Sequence, residues 1–144
     1  MVSAVAIWAV AVIMLKGGCL CGAVGYEVEN AFSAAFYCHC SQCRRATGSA
    51  FKPMAVIGSE KLRLTHGASE ILIYGTPTST HDAHCGRCGS FLYSVISDTG
   101  NTHVAMGTLI DPPSIRPSFH IFVASKASWY EIADGLPQFE GMPD

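Results

Sequence analysis

Seven cysteines carry the chemistry open to this chain, in three groups: Cys19-x-Cys21, Cys38-x-Cys40-x-x-Cys43 and Cys85-x-x-Cys88. An odd total leaves a fully paired disulfide framework with one thiol over. A disulfide within either CxC pair would be badly strained, whereas two thiolates readily share one ion. The set therefore reads as metal-binding. In an extended strand alternate side chains share a face, so Cys19 and Cys21 point together, as do Cys38 and Cys40, while His39 points the other way. Cys85-Gly86-Arg87-Cys88-Gly89 has the form of a zinc knuckle, in which small residues let the backbone turn and bring amide N–H groups toward the sulfurs.

Seven ligands divide as four plus three. Cys19, Cys21, Cys85 and Cys88 are expected to close one tetrahedral zinc site, and a closed site is structural. Cys38, Cys40 and Cys43 supply three sulfurs within six residues and leave a second zinc one ligand short, which opens it to a substrate. The other reading of the trio is a second structural zinc completed by His81 or His84. His66, His103 and His120 stand singly in apolar or turn contexts and are assigned no role.

Three thiolates on a divalent zinc leave a net charge near −1, which blunts the acidity of a bound water. Hydrolysis through zinc hydroxide is thus disfavoured. A soft thiol suits the fourth position better: held as thiolate, its sulfur can attack an aldehyde carbon or release it again. That second anionic sulfur calls for nearby cations. Arg44 and Arg45, directly after Cys43, are the candidate substrate-binding residues, either as charge partners or as a bidentate grip on a carboxylate. A solvated pair at a turn is the competing reading of both, and Lys52 is a third candidate.

Short extended runs must position these residues. They cover 23–28, 34–38, 51–57, 61–64, 70–74, 90–96, 103–107 and 119–124, lengths that suit strands. Turn residues punctuate them at Gly48, Gly58, Gly67, Gly75-Thr76-Pro77, Gly100-Asn101 and Asp111-Pro112-Pro113. Helix is confined to about one turn after Cys40. The segment 125–140, with Trp129, Tyr130, Ile132, Leu136 and Phe139, is expected to pack back on the sheet. The fold class is mainly β.

With 144 residues, 49% of them hydrophobic, the chain has the apolar supply of one compact domain. That domain is placed at residues 16–140, preceded by an apolar extension at 1–15. The extension is too short to span a bilayer, which takes about 20 residues, and it lacks a positive n-region and a small-x-small cleavage site. No membrane span is expected, and the protein is read as cytoplasmic. Formal net charge is −2 and the nine Lys and Arg are scattered. No basic stripe tracks a phosphate backbone, so nucleic acid is not an expected partner. No Ser-His-Asp order, phosphate loop, HExxH or dinucleotide fingerprint is present.

Gly17-Gly18-Cys19-Leu20-Cys21-Gly22-Ala23-Val24, then Cys38-His39-Cys40-Ser41-Gln42-Cys43-Arg44-Arg45 with Gly48-Ser49-Ala50-Phe51, then Cys85-Gly86-Arg87-Cys88-Gly89-Ser90, occur in that order. This pattern resembles the glutathione-dependent formaldehyde-activating enzyme family, which also includes centromere protein V. The likeness runs on through Gly107-Thr108-Leu109, Pro117 to His120, Ser125-Lys126 with Trp129, and Asp134 to Glu140. The resemblance implies a coil-rich, tent-like β fold with two zinc ions, the four-cysteine ion structural and the three-cysteine ion at the active site. It also implies a carbon–sulfur lyase that joins glutathione and formaldehyde into S-hydroxymethylglutathione and reverses the reaction. Two departures stand out. His84 occupies a position where an aromatic such as Phe is usual, and the chain is shorter than the type enzyme. A non-catalytic zinc scaffold of the same fold, as the centromere protein V branch suggests, is the alternative function.

Overall fold

A computed structural model describes residues 11–144, and it is mainly β, as the short runs and turn residues predict. A three-stranded antiparallel sheet is built from β1 (Met14–Gly18), β2 (Gly25–Glu29) and β5 (Leu62–His66), in the order β1-β2-β5. The larger sheet holds β3 (Ala34–Cys38), β4 (Lys52–Gly58), β6 (Ile71–Gly75), β7 (His81–Cys85), β8 (Phe91–Ile96), β9 (Asn101–Ala105) and β10 (His120–Ile121). Their order is β10-β3-β4-β9-β8-β7-β6, antiparallel throughout except for the parallel β10–β3 pair. One helix, α1 (Ser41–Thr47), follows the trio's second cysteine.

Strand alternation gives the larger sheet two different faces. One packs on the smaller sheet, where Val24, Tyr26, Val28, Ile57, Ala83, Leu92 and Val104 form the main core. The other carries Phe36, Cys38, Met54, Phe91 and Ile121 in a second cluster, against which Cys40 and Cys43 pack. On β4 the change of face is visible residue by residue, Met54 belonging to the second cluster and Ile57 to the first.

Leu15 is 4% exposed and belongs to the main core. Burial of a leucine contributes about 1.5–3 kcal/mol, so β1 takes in Met14 and Leu15 from the apolar run assigned to the extension. Residues 1–10 of that run lie outside the described residues. Among the described residues no helix is long and apolar enough to cross a membrane.

Two strands have no counterpart among the expected runs. β1 reads as the end of the apolar extension, and β7, His81-Asp82-Ala83-His84-Cys85, carries polar residues at alternate positions because that face of it lines a cavity. The helix is also longer than the expected turn. Its start is capped by Cys40, whose Sγ accepts the Cys43 N–H at 3.2 Å, and its end by Gly48 in the left-handed region at φ 65°. A glycine is required as well at Gly67, where φ is +80° and an added Cβ would lie 1.9 Å from the Ala23 carbonyl oxygen.

Candidate metal centres and cavity

The turn after β1 and the knuckle after β7 meet at one end of the core. There the sulfurs of Cys19, Cys21, Cys85 and Cys88 all lie within 4.8 Å of one another. The separations of 3.6 Å for Cys19–Cys21 and 3.8 Å for Cys21–Cys85 match the edge of a thiolate tetrahedron about zinc, about 3.8 Å for bonds of about 2.3 Å. The backbone supports the charge. Val24 N–H donates to Cys19 Sγ at 3.2 Å, and the Ser90 hydroxyl lies 3.2 Å from Cys88 Sγ. The Ser90 hydroxyl, then the Ser90 and Cys21 backbone N–H groups, pull the Cys88 thiol down to about 5. None of the seven cysteines is in a disulfide.

Cys38 ends β3, Cys40 caps α1 and Cys43 sits in its first turn, so one strand-to-helix corner gathers the second cluster, again within 4.8 Å. Among the described residues no histidine or carboxylate joins it. His81 is turned aside, its Nδ1–H donating to the Ser79 carbonyl at 2.8 Å, and His84 faces the cavity without reaching the sulfurs. Within the trio a proton is unevenly held: hydrogen bonding from Cys43 lowers the Cys38 thiol, and the same bond raises the Cys43 thiol. Both clusters can therefore hold a metal ion, one with four sulfurs and one with three.

A cavity of about 950 Å³ opens on the three-sulfur cluster. Cys38, Cys40 and Cys43 line it together with Lys52, His84, His103, Asp82 and Arg45, while the four-sulfur cluster contributes nothing to its wall. Lys52 is directly opposite Cys38 in the β3–β4 register, which places both side chains on one face. It is only 6% exposed, its Nζ lies 4.0 Å from the centre of the Phe91 ring, and among the described residues no carboxylate is within ion-pair reach of it. Its charge acts on the surrounding groups. Burial and then Lys52 lower His103, and burial, with Lys52 adding against Asp82, lowers His84, which favours the neutral form of both imidazoles.

The two arginines diverge. Arg44 Nε donates to the Ser125 carbonyl at 3.2 Å and is not part of the cavity wall, whereas Arg45 lines the cavity, its Nε donating to the Ser41 carbonyl at 3.3 Å. The buried cation that reasoning from adjacency ranked third, Lys52, is the one opposite the sulfurs. Only the strand pairing puts it there.

A family model described as glutathione-dependent formaldehyde-activating enzyme matches residues 14–125, which include all seven cysteines and Lys52. The chain belongs to that family. A Halomonas elongata protein named "putative glutathione-dependent formaldehyde-activating enzyme" is 30% identical over 141 residues, covering 91% of this chain and 90% of its own length. A crystal structure of a Rhodobacter sphaeroides protein is 31% identical, with a TM-score of 0.57, and the match covers 72% of this chain and 92% of that one. In this member of the glutathione-dependent formaldehyde-activating family, His84 meets Phe91 edge-on with ring centres 4.9 Å apart. The imidazole thus fills an aromatic's place in the packing while offering a polar edge to the cavity.

Sequence reasoning left His39 and His120 without a function, yet both are buried and touch, His39 Nε2 lying 2.8 Å from His120 Nδ1. The segment after Ser125 behaves unevenly. Tyr130 packs against Phe51 and His39, but Trp129 is 72% exposed.

Proposed function

We propose that this protein is a zinc-dependent carbon–sulfur lyase acting on thiol–aldehyde adducts, of the S-hydroxymethylglutathione type. Cys19, Cys21, Cys85 and Cys88 would hold a structural zinc, and Cys38, Cys40 and Cys43, which line the cavity, would hold a second one able to take a substrate ligand. The observation that carries this reading is the asymmetry of the clusters: the three-sulfur one faces a large cavity beside a buried ammonium. Bound to the trio, zinc would hold a thiol substrate as its thiolate and lower its pKa.

The remaining work belongs to the chain. Lys52 offsets the anionic charge that three cysteine thiolates and a substrate sulfur bring together. Arg45, at the cavity wall, is placed to receive a carboxylate of a glutathione-like thiol. His84 and His103, in the neutral form, can accept a hydrogen bond from a hydroxymethyl group or donate one to an aldehyde oxygen. Phe36, Met54 and Ile121 exclude water from the same wall.

Elemental analysis of protein purified without added metal tests the assignment: two zincs per chain, one of them lost to a mild chelator wash. With cobalt in the labile site, added glutathione shifts the sulfur-to-metal absorption band. An unmoved band, or a single zinc with Cys38, Cys40 and Cys43 open to alkylation, would sink it and favour a scaffold.

Lys52→Met should raise KM for an anionic thiol about 10- to 100-fold, the worth of one charge-assisted contact of about 1.5–3 kcal/mol. Arg44→Met, which loses only a tether to Ser125, should leave KM near wild type. Equal effects in steady-state kinetics of the two variants would refute the role given to Lys52.

A further inference from the structure

Behind the three-sulfur cluster a chain of three polar side chains runs from the surface at Asp134 into the interior at His39. The Asp134 carboxylate lies 2.9 and 3.0 Å from His120 Nε2, and His120 Nδ1 lies 2.8 Å from His39 Nε2. His39 is 0% and His120 1% exposed. Aromatic rings wall them in: Tyr37 stacks on His120 with centres 4.9 Å apart, and Phe51 and Tyr130 flank His39. Asp134 is itself steadied by the Leu136 N–H, which donates to Oδ1 at 3.1 Å. The chain ties three separate segments together: the C-terminal coil, β10, and the corner between β3 and α1.

Its hydrogen bonds have one consistent direction. An ionised carboxylate only accepts, so His120 carries a proton on Nε2, and an imidazole with that single proton presents a lone pair at Nδ1. That lone pair takes the Nε2–H of His39, which leaves His39 Nδ1 as a bare acceptor. Among the described residues His39 Nδ1 is the buried side-chain polar atom with no hydrogen-bond partner. A buried polar atom is normally paired, and here the unpaired one falls at the end of the chain remote from the carboxylate.

We infer that Asp134, His120 and His39 form a positioning relay for the three-sulfur site, with Asp134 selecting one tautomer of each imidazole and so locking the roll of the Cys38-His39-Cys40 segment. The coupling is geometric. His39 projects from the side of the backbone opposite its two cysteine neighbours, so a ring held by a directed hydrogen bond fixes the rotation of the segment about its own axis, and with it the aim of both sulfurs. The His39 N–H, which donates to the Ile121 carbonyl at 3.0 Å, pins the backbone of the same residue to β10. None of the three is a ligand; all act through Cys38 and Cys40. The inference rests on reading the trio as a metal site.

The test uses the full zinc-loaded chain and Asp134→Asn, a change at a side chain 43% exposed that preserves size. Long-range 15N–1H correlation spectra of labelled histidines should show His39 and His120 as neutral Nε2–H tautomers in the wild type and as mixed tautomers in the variant. Zinc should leave the trio for a chromogenic chelator about 10-fold faster in the variant, the low end of the effect of losing a partner bonded directly to a ligand. The four-sulfur site, as internal control, should release at the wild-type rate. Unchanged tautomers, unchanged release, or equal loosening of both sites would overturn the relay. A wild-type protein with one zinc would instead sink the metal reading, and the tautomer spectra would still decide whether Asp134 directs the imidazoles.

Discussion

Cys85→Ser should leave the chain without a stable fold, recovered mainly in the insoluble fraction and, where soluble, without a cooperative melt. Cys85 is 1% exposed, sits in the main core, and joins β7 to the turn after β1 through the four-sulfur cluster. Binding of a structural zinc contributes about 10–16 kcal/mol in small zinc domains, against about 5–15 kcal/mol for the net stability of a whole domain. Serine oxygen is a poor replacement for a thiolate, and loss of even half of that free energy, about 5–8 kcal/mol, is comparable to the whole net stability of a domain. Soluble yield, zinc content and thermal melting followed by circular dichroism check this. A Cys85→Ser protein melting within a few degrees of wild type would remove the four-sulfur cluster from its structural role.

Cys40→Ser should do the opposite: keep the fold and abolish turnover. Cys40 caps α1 by accepting the Cys43 N–H, and serine is among the best residues for that position, so the helix start survives the change. The trio falls to two sulfurs, the labile zinc is lost, and thiol–aldehyde activity drops by about 1000-fold, equivalent to about 4 kcal/mol of transition-state stabilisation. The decisive comparison is metal count and melting temperature beside rate. One zinc per chain, a melt close to wild type and no turnover support separate duties for the clusters. Turnover at the wild-type rate with one zinc would show that the trio's metal takes no part.

The two predictions differ because the same residue type serves in two settings. At the four-sulfur site the sulfurs come from segments 64 residues apart, Cys21 and Cys85, so an ion held there would close a long loop and staple the smaller sheet to the larger. At the three-sulfur site all ligands lie on one corner of six residues, already shaped by β3, by α1 and by the β10 strand behind them. Removing an ion there undoes no long-range closure.

Much was legible before any coordinates. The three local groups of cysteines follow from their spacing, because thiolates on alternate strand positions or across a CxxC turn converge locally, and the structure joins the first group to the third as the four-plus-three division expects. The mainly β class follows from short extended runs between glycines and prolines, and His39 pointing away from its neighbours follows from strand alternation. Less legible was β7, whose Asp82 and His84 face a cavity instead of solvent and mimic a loop. β1 was obscured by the continuous apolar run before it, which carries no boundary signal at Met14.

What the sequence determines by itself is the ligand inventory and its local grouping, since CxC and CxxC geometry is set within a few residues by backbone dihedrals. What only the tertiary structure decides is everything joined across strands. Lys52 faces the trio because β4 pairs with β3 in a register that sets it opposite Cys38. Arg44 stays out of the cavity wall, its guanidinium tied to the Ser125 carbonyl. His39, His120 and Asp134 meet because β10 lies parallel to β3 and the chain then folds back over it, a pairing across 81 and 14 residues. Local rules act over one turn or one strand. Register and return of the chain are settled by burial of the whole core, and no short pattern of residues encodes them.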